Sequence, residues 1–282
     1  MAEDRTRVAI DMSRASPARV YDHLLGGKDN YEADRVLAGE LAAAFHDVQR
    51  AARANRSFVL RAVAEAAAGG ITQFLDLGSG LPAAENVHEV ARRWHPAAAV
   101  AYVDHDPVVA NHVRALLQTD ERVIVLEADL RRPEPILTRP ELKECFDFDR
   151  PVAVLMASCL HFVPDEDDPA GIVAGFTRDL APGSRLVVSH WSGGVDARAE
   201  EAVRSAHRRL ATLPIVDRDP ARIRELFAGF DLLGPGLADV TAWLPGPSAA
   251  AEPSFRLIGG IGRKPAPSSP PAQGFPGPDG AP

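Results

Sequence analysis

The sequence is poor in cysteine, with two in 282 residues, and neither belongs to a CxxC pair. This shortage excludes a disulfide framework and a structural zinc site built on the usual cysteine spacing. We therefore expect Cys145 and Cys159 to be reduced and chemically inert, Cys159 as a small packing residue.

Long apolar runs and basic runs are also missing. No stretch of about 18 apolar residues occurs, and the first residues carry charges of both signs. We therefore expect a cytoplasmic protein without a membrane partner. The formal net charge is −8, and the lack of a basic face argues against nucleic acid as a partner, because phosphate binding requires one. The oligomeric state stays open.

The chain does contain a clear βαβα rhythm. Short, nearly continuous apolar runs alternate with helical stretches, which indicates strands buried on both faces. Five such runs cover residues 71–77, 100–104, 123–127, 152–157 and 185–189. Two further runs, 230–233 and 254–261, have no helix between them. We predict an α/β fold with a Rossmann-like, doubly wound, seven-stranded and mostly parallel sheet whose last strand is antiparallel.

Composition divides the chain into four segments. Residues 1–15 are polar and predicted to be flexible, and residues 16–70 are helical and form a predicted cap or lid before the first strand. Residues 71–264 hold the predicted core. Residues 265–282 are so rich in Pro, Gly and Ser that we predict a disordered tail.

A glycine loop follows the first predicted strand, in the sequence FLDLGSGLP of residues 74–82. Gly78 and Gly80 allow a sharp turn and a close approach to a ligand, and the next helix offers free N–H groups. A tight turn without a ligand is the alternative.

Acidic residues stand at the ends of three successive predicted strands, where such sheets bind ligands. They are Asp76, Asp104 and Asp129. Each one could instead cap the helix that follows it.

Together with RVYDHLLGGKDNYEADR (19–35) and LHFVPDEDDPAGIV (160–173), these motifs resemble the class I S-adenosylmethionine-dependent methyltransferases. They are most similar to an actinobacterial subfamily long catalogued as a domain of unknown function. The resemblance covers residues 5–264 and implies S-adenosyl-L-methionine as cofactor and a small-molecule methyl acceptor. It implies that the glycine loop holds the methionine part, Asp104 the ribose and Asp129 the adenine amino group. The implied cofactor residues at the strand ends are Asp76, Gly78, Ser79, Gly80, Asp104, His105, Asp129, Leu130 and Ser158.

The segment before the first strand supplies a possible lid. Helices in this position cover the cofactor in the family, and Gly26-Gly27 would serve as a hinge. We predict that Lys28 or Asn30 meets the cofactor carboxylate and that Tyr21 and Tyr31 wall the methyl group. The alternative is a glycine helix cap followed by a polar turn, with no ligand.

A base is needed only if the acceptor loses a proton, and His161 is the predicted catalytic residue for that role. A histidine hydrogen-bonded within its loop is the alternative. The acids at 165–168 are interpreted as helix caps, and no metal site is predicted. A divalent metal site built from these acids is the alternative.

Two other functions fit the glycine loop. The pattern Gly78-x-Gly80-x-x-Ala83 nearly matches an NAD-binding fingerprint, although Asp76 and Pro82 are unusual for it. A regulator that binds S-adenosylmethionine without catalysis would carry the same motifs.

Overall fold

The computed structural model describes residues 11–243 and 253–266. Within these ranges the helices are α1 (Pro17–Leu25), α2 (Glu32–Ala44), α3 (Val48–Ala68), α4 (Val87–Arg92), α5 (Pro107–Leu116), α6 (Pro133–Leu137), α7 (Pro140–Cys145), α8 (Pro169–Thr177), α9 (Ala197–Leu210) and α10 (Pro220–Glu225). The strands are β1 (Gln73–Leu77), β2 (Ala99–Asp104), β3 (Val123–Glu127), β4 (Ala153–Ala157), β5 (Arg185–Gly194), β6 (Asp231–Leu232), β7 (Ala238–Asp239) and β8 (Phe255–Arg263).

The strands form one mixed sheet in the order β3-β2-β1-β4-β5-β8-β6, and β7 also pairs with β8. Strands β1 to β5 are parallel, whereas β8 runs antiparallel to β5 and to β6. This topology confirms the predicted fold class. The described residues contain eight strands rather than seven, because the two-residue β7 pairs with Gly259 and Ile258 of β8. Two residues are too few to produce an alternating pattern in the sequence.

Side chains of the central strands alternate between two hydrophobic cores, one on each face of the sheet. Phe74 and Val100 belong to the core that also contains α3, whereas Leu75 and Val154 belong to the core on the opposite face. Burial on both faces explains why these strands are continuous apolar runs.

The predicted limits of β5 are wrong. The strand extends beyond Ser189 to Gly194, because β8 continues to pair with it through Trp191 opposite Leu257 and, after a register shift, Gly194 opposite Phe255. His190 and Trp191 therefore lie within the strand rather than in a loop after it. The pairing partner lies more than sixty residues away in the chain, so the local pattern did not reveal this extension.

Helices α1 to α3 pack on the sheet in the same core as Phe74 and Val187. The α1 helix begins at Pro17, which suits a first turn, and ends at Gly26 with φ +89°. This end has the form of the glycine helix cap that the sequence allowed as the alternative to a hinge. The division of the chain into a cap and a core stays a prediction.

The predicted flexible N-terminus and disordered tail lie largely outside the described residues, which begin at residue 11 and end at residue 266. Within the described ranges, no helix combines the length and apolar character needed to cross a membrane.

Candidate active site

The glycine loop turns sharply at the end of β1. Gly78 and Gly80 have φ angles of +69° and +66°, which favour glycine. The N–H groups of Gly78 and Ser79 donate to the Val103 carbonyl at 2.8 and 3.1 Å. A Cβ atom at position 78 would lie 2.6 Å from Cβ of Cys159. The loop therefore needs glycine at 78 both for its backbone angle and for its contact with the loop after β4.

Asp76 and Asp104 end β1 and β2 as buried carboxylates. Asp104 accepts hydrogen bonds from the N–H groups of Gly80 and Asp106, each at 3.0 Å. Burial raises the pKa of Asp76 to about 7, although the positive charge of Arg56 opposes the shift. Burial also raises the pKa of Asp104, against the effect of its two backbone donors. Two buried carboxylates side by side would be stabilised by a ligand that donates hydrogen bonds or carries positive charge.

Asp129, after β3, lies closer to solvent and is paired. Its carboxylate accepts hydrogen bonds from the Arg131 guanidinium, the shortest at 2.6 Å. Partial burial raises the pKa of Asp129. The hydrogen bonds from Arg131 outweigh this effect and hold the pKa below its usual value. Arg131 also pairs with Asp167 at 3.0 Å, so this edge of the site is closed by a small ionic network.

Ser158, directly after β4, has a φ of +53°, a strained angle for a residue with a side chain. Its N–H donates to the Ser189 carbonyl at 2.9 Å, and the two hydroxyl groups lie 3.2 Å apart. These contacts with β5 hold the strained turn at the same edge of the sheet.

One cavity of about 260 Å³ connects these strand ends with the helices above them. All nine strand-end residues predicted to bind the cofactor line it, and so do Tyr21 and His161. Lys28, Asn30 and Tyr31 are not among its lining residues.

The polar turn after Gly26 is held to α1 instead. The Asp22 carboxylate accepts from the Asn30 side chain and from the Asp29 N–H, each at 2.9 Å. The Tyr31 ring lies 5.2 Å from the guanidinium carbon of Arg19. This arrangement corresponds to the turn without a ligand, and closure of the turn over the cofactor stays a prediction.

The Tyr21 hydroxyl group both donates and accepts a hydrogen bond within the protein. It donates to the Ala52 carbonyl at 3.0 Å and accepts from the Asn55 amide nitrogen at 3.0 Å. Burial raises the pKa of Tyr21. The Tyr21 side chain is therefore neutral and forms part of the cavity wall. Its hydroxyl proton is donated to the Ala52 carbonyl.

His161 lies in a 3₁₀ turn after β4, and its Nδ1 accepts from the Trp191 N–H at 3.3 Å. Burial and the neighbouring His190 hold the pKa of His161 well below its usual range. A neutral imidazole whose Nδ1 is an acceptor carries its proton on Nε2. In this arrangement His161 offers a hydrogen-bond donor rather than a base.

Arg218 is a buried residue of this region that the sequence did not reveal. Its guanidinium donates to the carbonyls of Leu160 and Val163, to Nε2 of His190 and to Asp165. It thereby holds the loop after β4 from a position more than fifty residues further along the chain. A lone arginine in a polar stretch has no sequence signal for such a role.

Three of the four acids at 165–168 have individual partners. Asp165 pairs with Arg218, Asp167 pairs with Arg131, and Asp168 caps α8 through the Gly171 N–H at 3.0 Å. The described residues contain no cluster of three or more metal-ligating side chains.

Three buried polar atoms of cavity-lining residues lack a hydrogen-bond partner in the described part of the chain: Asn55 Oδ1, Arg56 Nε and Ser79 Oγ. Buried polar groups are nearly always paired. The cavity therefore fits a ligand with both hydrogen-bond donors and acceptors. No sequence motif singled out Asn55 or Arg56, because they lie in an ordinary stretch of α3.

A family model described as S-adenosyl methyltransferase matches residues 3–265. The chain belongs to this S-adenosyl methyltransferase family. The family assignment makes the protein an S-adenosylmethionine-dependent methyltransferase and decides against the NAD-dependent alternative.

Two solved structures are similar over nearly their whole length. A DUF574 family protein from Streptomyces avermitilis MA-4680 is 35% identical, with 90% of this chain and 99% of that chain covered and a TM-score of 0.85. A candidate methyltransferase from Thermobifida fusca YX is 38% identical, with 91% and 97% covered and a TM-score of 0.84. No curated protein matches the chain.

S-adenosylmethionine fits the unpaired atoms of the cavity. Its amino acid end carries a carboxylate, which could accept from Arg56 Nε and Ser79 Oγ, and an ammonium group, which could donate to Asn55 Oδ1. The buried carboxyl groups of Asp76 and Asp104 lie beside the loop, and a bound cation would stabilise their charged forms.

Proposed function

We propose that this methyltransferase acts on a small-molecule acceptor bound beneath α1, α2, α3 and α9. One observation carries the proposal: the cavity that begins at the strand ends continues without a break among side chains of these helices, including Leu24, Leu41 and Val203. Cofactor and acceptor would therefore share one enclosure, from which water is largely excluded when both are bound.

In the proposed complex, Asp104 accepts from the ribose hydroxyl groups and Asp129 accepts from the adenine amino group. Arg56 and Ser79 donate to the carboxylate of the methionine part. When bound, S-adenosylmethionine supplies an activated methyl group on a positively charged sulfur. Because the methyl group is already activated, the chain's main tasks are to orient the acceptor and to exclude water.

Tyr21 and His161, the two predicted catalytic residues that line the cavity, are arranged for orientation rather than for acid–base catalysis. Tyr21 is neutral and donates to Ala52, so it walls the site without offering a proton. His161 offers its Nε2–H as a donor that can hold an acceptor oxygen or the cofactor. Neither residue is arranged as a base.

Calorimetric titration tests the cofactor site. Wild-type protein should bind S-adenosylmethionine and S-adenosylhomocysteine and should not bind NAD. The variant Asp104→Ala should bind S-adenosylhomocysteine about 10- to 100-fold more weakly, because it loses charge-assisted hydrogen bonds in a buried site.

Asp179→Ala is the matched control, because Asp179 is an exposed aspartate outside the cavity. Its affinity for S-adenosylhomocysteine should equal that of the wild type. Equal affinities for Asp104→Ala and wild type would contradict the proposed placement of the ribose.

A further inference from the structure

Charge is distributed unevenly along the cavity. Among the described lining residues, the acids lie at the strand ends and at the N-cap of α5, which is Asp106. The half beneath the helices is lined mainly by apolar side chains, here named the apolar chamber and represented by Leu24, Leu41, Phe45, Trp191, Val203 and Leu257. Arg56 stands at the boundary, close enough to Asp76 to influence its pKa.

Two histidines line the apolar chamber, His161 and His207. Both are buried, and burial lowers the pKa of each, so both are neutral at pH 7. The apolar chamber thus offers little compensation for the loss of hydration that a charged acceptor would suffer on binding. An uncharged acceptor avoids this cost and gains from burial of its apolar surface.

His207 has the opposite proton arrangement to His161. Its Nδ1 lies 3.0 Å from the Val203 carbonyl, one turn earlier in α9. A carbonyl oxygen can only accept, so Nδ1 carries the proton and the neutral ring keeps a lone pair on Nε2. No described residue donates to this Nε2. The apolar chamber therefore contains a hydrogen-bond acceptor on a neutral imidazole, held in one orientation by its own helix.

We propose that the methyl acceptor is an uncharged, largely apolar compound with an acidic hydroxyl group, a phenol or enol, which donates to Nε2 of His207. This inference rests on the proposed function, since it names the acceptor of the same site. His207 is the catalytic base in this arrangement. The hydroxyl proton passes to Nε2 as the new oxygen–carbon bond forms and the carbon–sulfur bond of the donor breaks, with that electron pair kept by sulfur.

The chemistry of a buried imidazole restricts the acceptor further. A neutral histidine whose pKa is lowered by burial is a weak base, which matches a phenol or enol better than an alkyl alcohol. An alkyl amine would enter as a cation at neutral pH and would lose its hydration in the apolar chamber. Both considerations favour the acidic hydroxyl.

Binding of three probes to protein saturated with S-adenosylhomocysteine tests the acceptor class by calorimetry. The probes are 1-naphthol, 1-fluoronaphthalene, which is similar in shape but has no donor, and 1-naphthoate, which is charged. We expect 1-naphthol to bind roughly tenfold more tightly than 1-fluoronaphthalene, as one hydrogen bond to a buried acceptor would produce, and 1-naphthoate not to bind. Equal binding of 1-naphthoate and 1-naphthol, or no binding of any probe, would overturn the proposal.

The variant His207→Asn tests the assigned atom. An asparagine amide can still donate to the Val203 carbonyl, but it has no lone pair where Nε2 was. The affinity for 1-naphthol should become about equal to that for 1-fluoronaphthalene, so that their ratio is about one. The affinity for S-adenosylhomocysteine should not change. His46→Asn, at an exposed position outside the cavity, should keep the full preference. If His207→Asn keeps the preference for 1-naphthol over 1-fluoronaphthalene and His161→Asn loses it, His161 rather than His207 binds the hydroxyl group. That result would overturn the assignment to His207.

Methyl transfer from S-adenosylmethionine to 1-naphthol completes the test. We expect turnover by the wild type and a decrease of about 10²- to 10⁴-fold in His207→Asn. Binding of 1-naphthol without methylation would overturn the role of His207 as a base. Failure of the proposed function can be distinguished from failure of this inference. In the first case S-adenosylhomocysteine would not bind the wild type, whereas in the second it would bind and only the probe results would differ from those expected.

Discussion

Arg19 and Asp34 form a buried ion pair between α1 and α2, two of the helices that cover the cavity, with 2.8 Å between Nε and Oδ2. The Asp34 carboxylate also accepts from the N–H groups of Ser16 and Tyr31 at 2.9 and 2.8 Å. One fully buried carboxylate therefore holds the start of α1, the polar turn and the start of α2 together. Because α1 lines the cavity, this pair links the stability of the helices to ligand binding.

Asp34→Ala should destabilise the protein by about 3–5 kcal/mol, because it leaves the buried Arg19 charge with only the longer, 3.7 Å contact to Asp106. Urea denaturation measures the change. Glu32→Ala is the matched control on the same helix, since Glu32 and Arg35 form an exposed pair that should contribute well under about 1 kcal/mol. Similar losses in the two variants would show that the buried pair does not hold the helices.

The raised pKa of Asp76 predicts that the free energy of unfolding depends on pH. Its folded pKa of about 7 lies above the ordinary value of 3.8, so the folded chain keeps a proton that the unfolded chain releases between these values. The stabilisation is complete below about pH 4 and is lost as the pH rises to about 7. Across this window the wild type should lose up to about 4 kcal/mol relative to Asp76→Asn, at 1.36 kcal/mol per pKa unit.

Urea denaturation of both proteins at several pH values provides the measurement. The comparison between two variants cancels the contributions of other titrating groups. A difference that stays constant with pH would contradict the raised pKa of Asp76.

Gly78→Ala and Gly80→Ala should differ, although both glycines have positive φ angles. At Gly80 a Cβ would meet no atom within 4 Å, so the cost is the backbone strain of about 1–2 kcal/mol. At Gly78 the contact with Cys159 adds to that strain, typically by about 1–3 kcal/mol. Denaturation experiments should therefore place Gly78→Ala as the less stable variant.

The double variant Gly78→Ala/Cys159→Gly removes the Cβ atom in the way. The loss of stability in the double variant should be smaller than the sum of the losses in the two single variants. Strict additivity of the two changes would argue against the contact as the cause.

Lys28→Ala tests closure of the polar turn. Lys28 is exposed and lies outside the cavity in the structure, so the free energy of unfolding should change by less than about 0.5 kcal/mol. If the turn closes, the variant should lose a charge-assisted bond to the cofactor carboxylate and bind S-adenosylhomocysteine about tenfold more weakly. Arg53→Ala, at an exposed position in α3 outside the cavity, is the control, and an unchanged affinity in Lys28→Ala would show that the turn stays open.

Much of the fold could be predicted because its signals are local. The runs of β1 to β4 are mostly apolar, since both faces of these strands are largely buried. The start and end of α1 are marked by Pro17 and Gly26, which are local signals. The strand-end residues were found for the same reason, because a glycine loop and an acid after a buried strand are readable without any distant contact.

Other features depended on distant pairing. The extension of β5 and the small strand β7 are produced by β8, and Arg218 reaches its partners across more than fifty residues. Periodicity describes which face of an element is buried, but it does not identify the partner that covers it.

The sequence by itself determined the parallel sheet, the glycine loop, the acids at the strand ends and the resemblance to methyltransferases. Only the tertiary structure decided the proton positions on His161 and His207 and the unpaired atoms of Asn55, Arg56 and Ser79. The physical reason is that a side chain's chemistry depends on burial and on the direction of its hydrogen bonds. Both are set by neighbours that come together only in the folded chain.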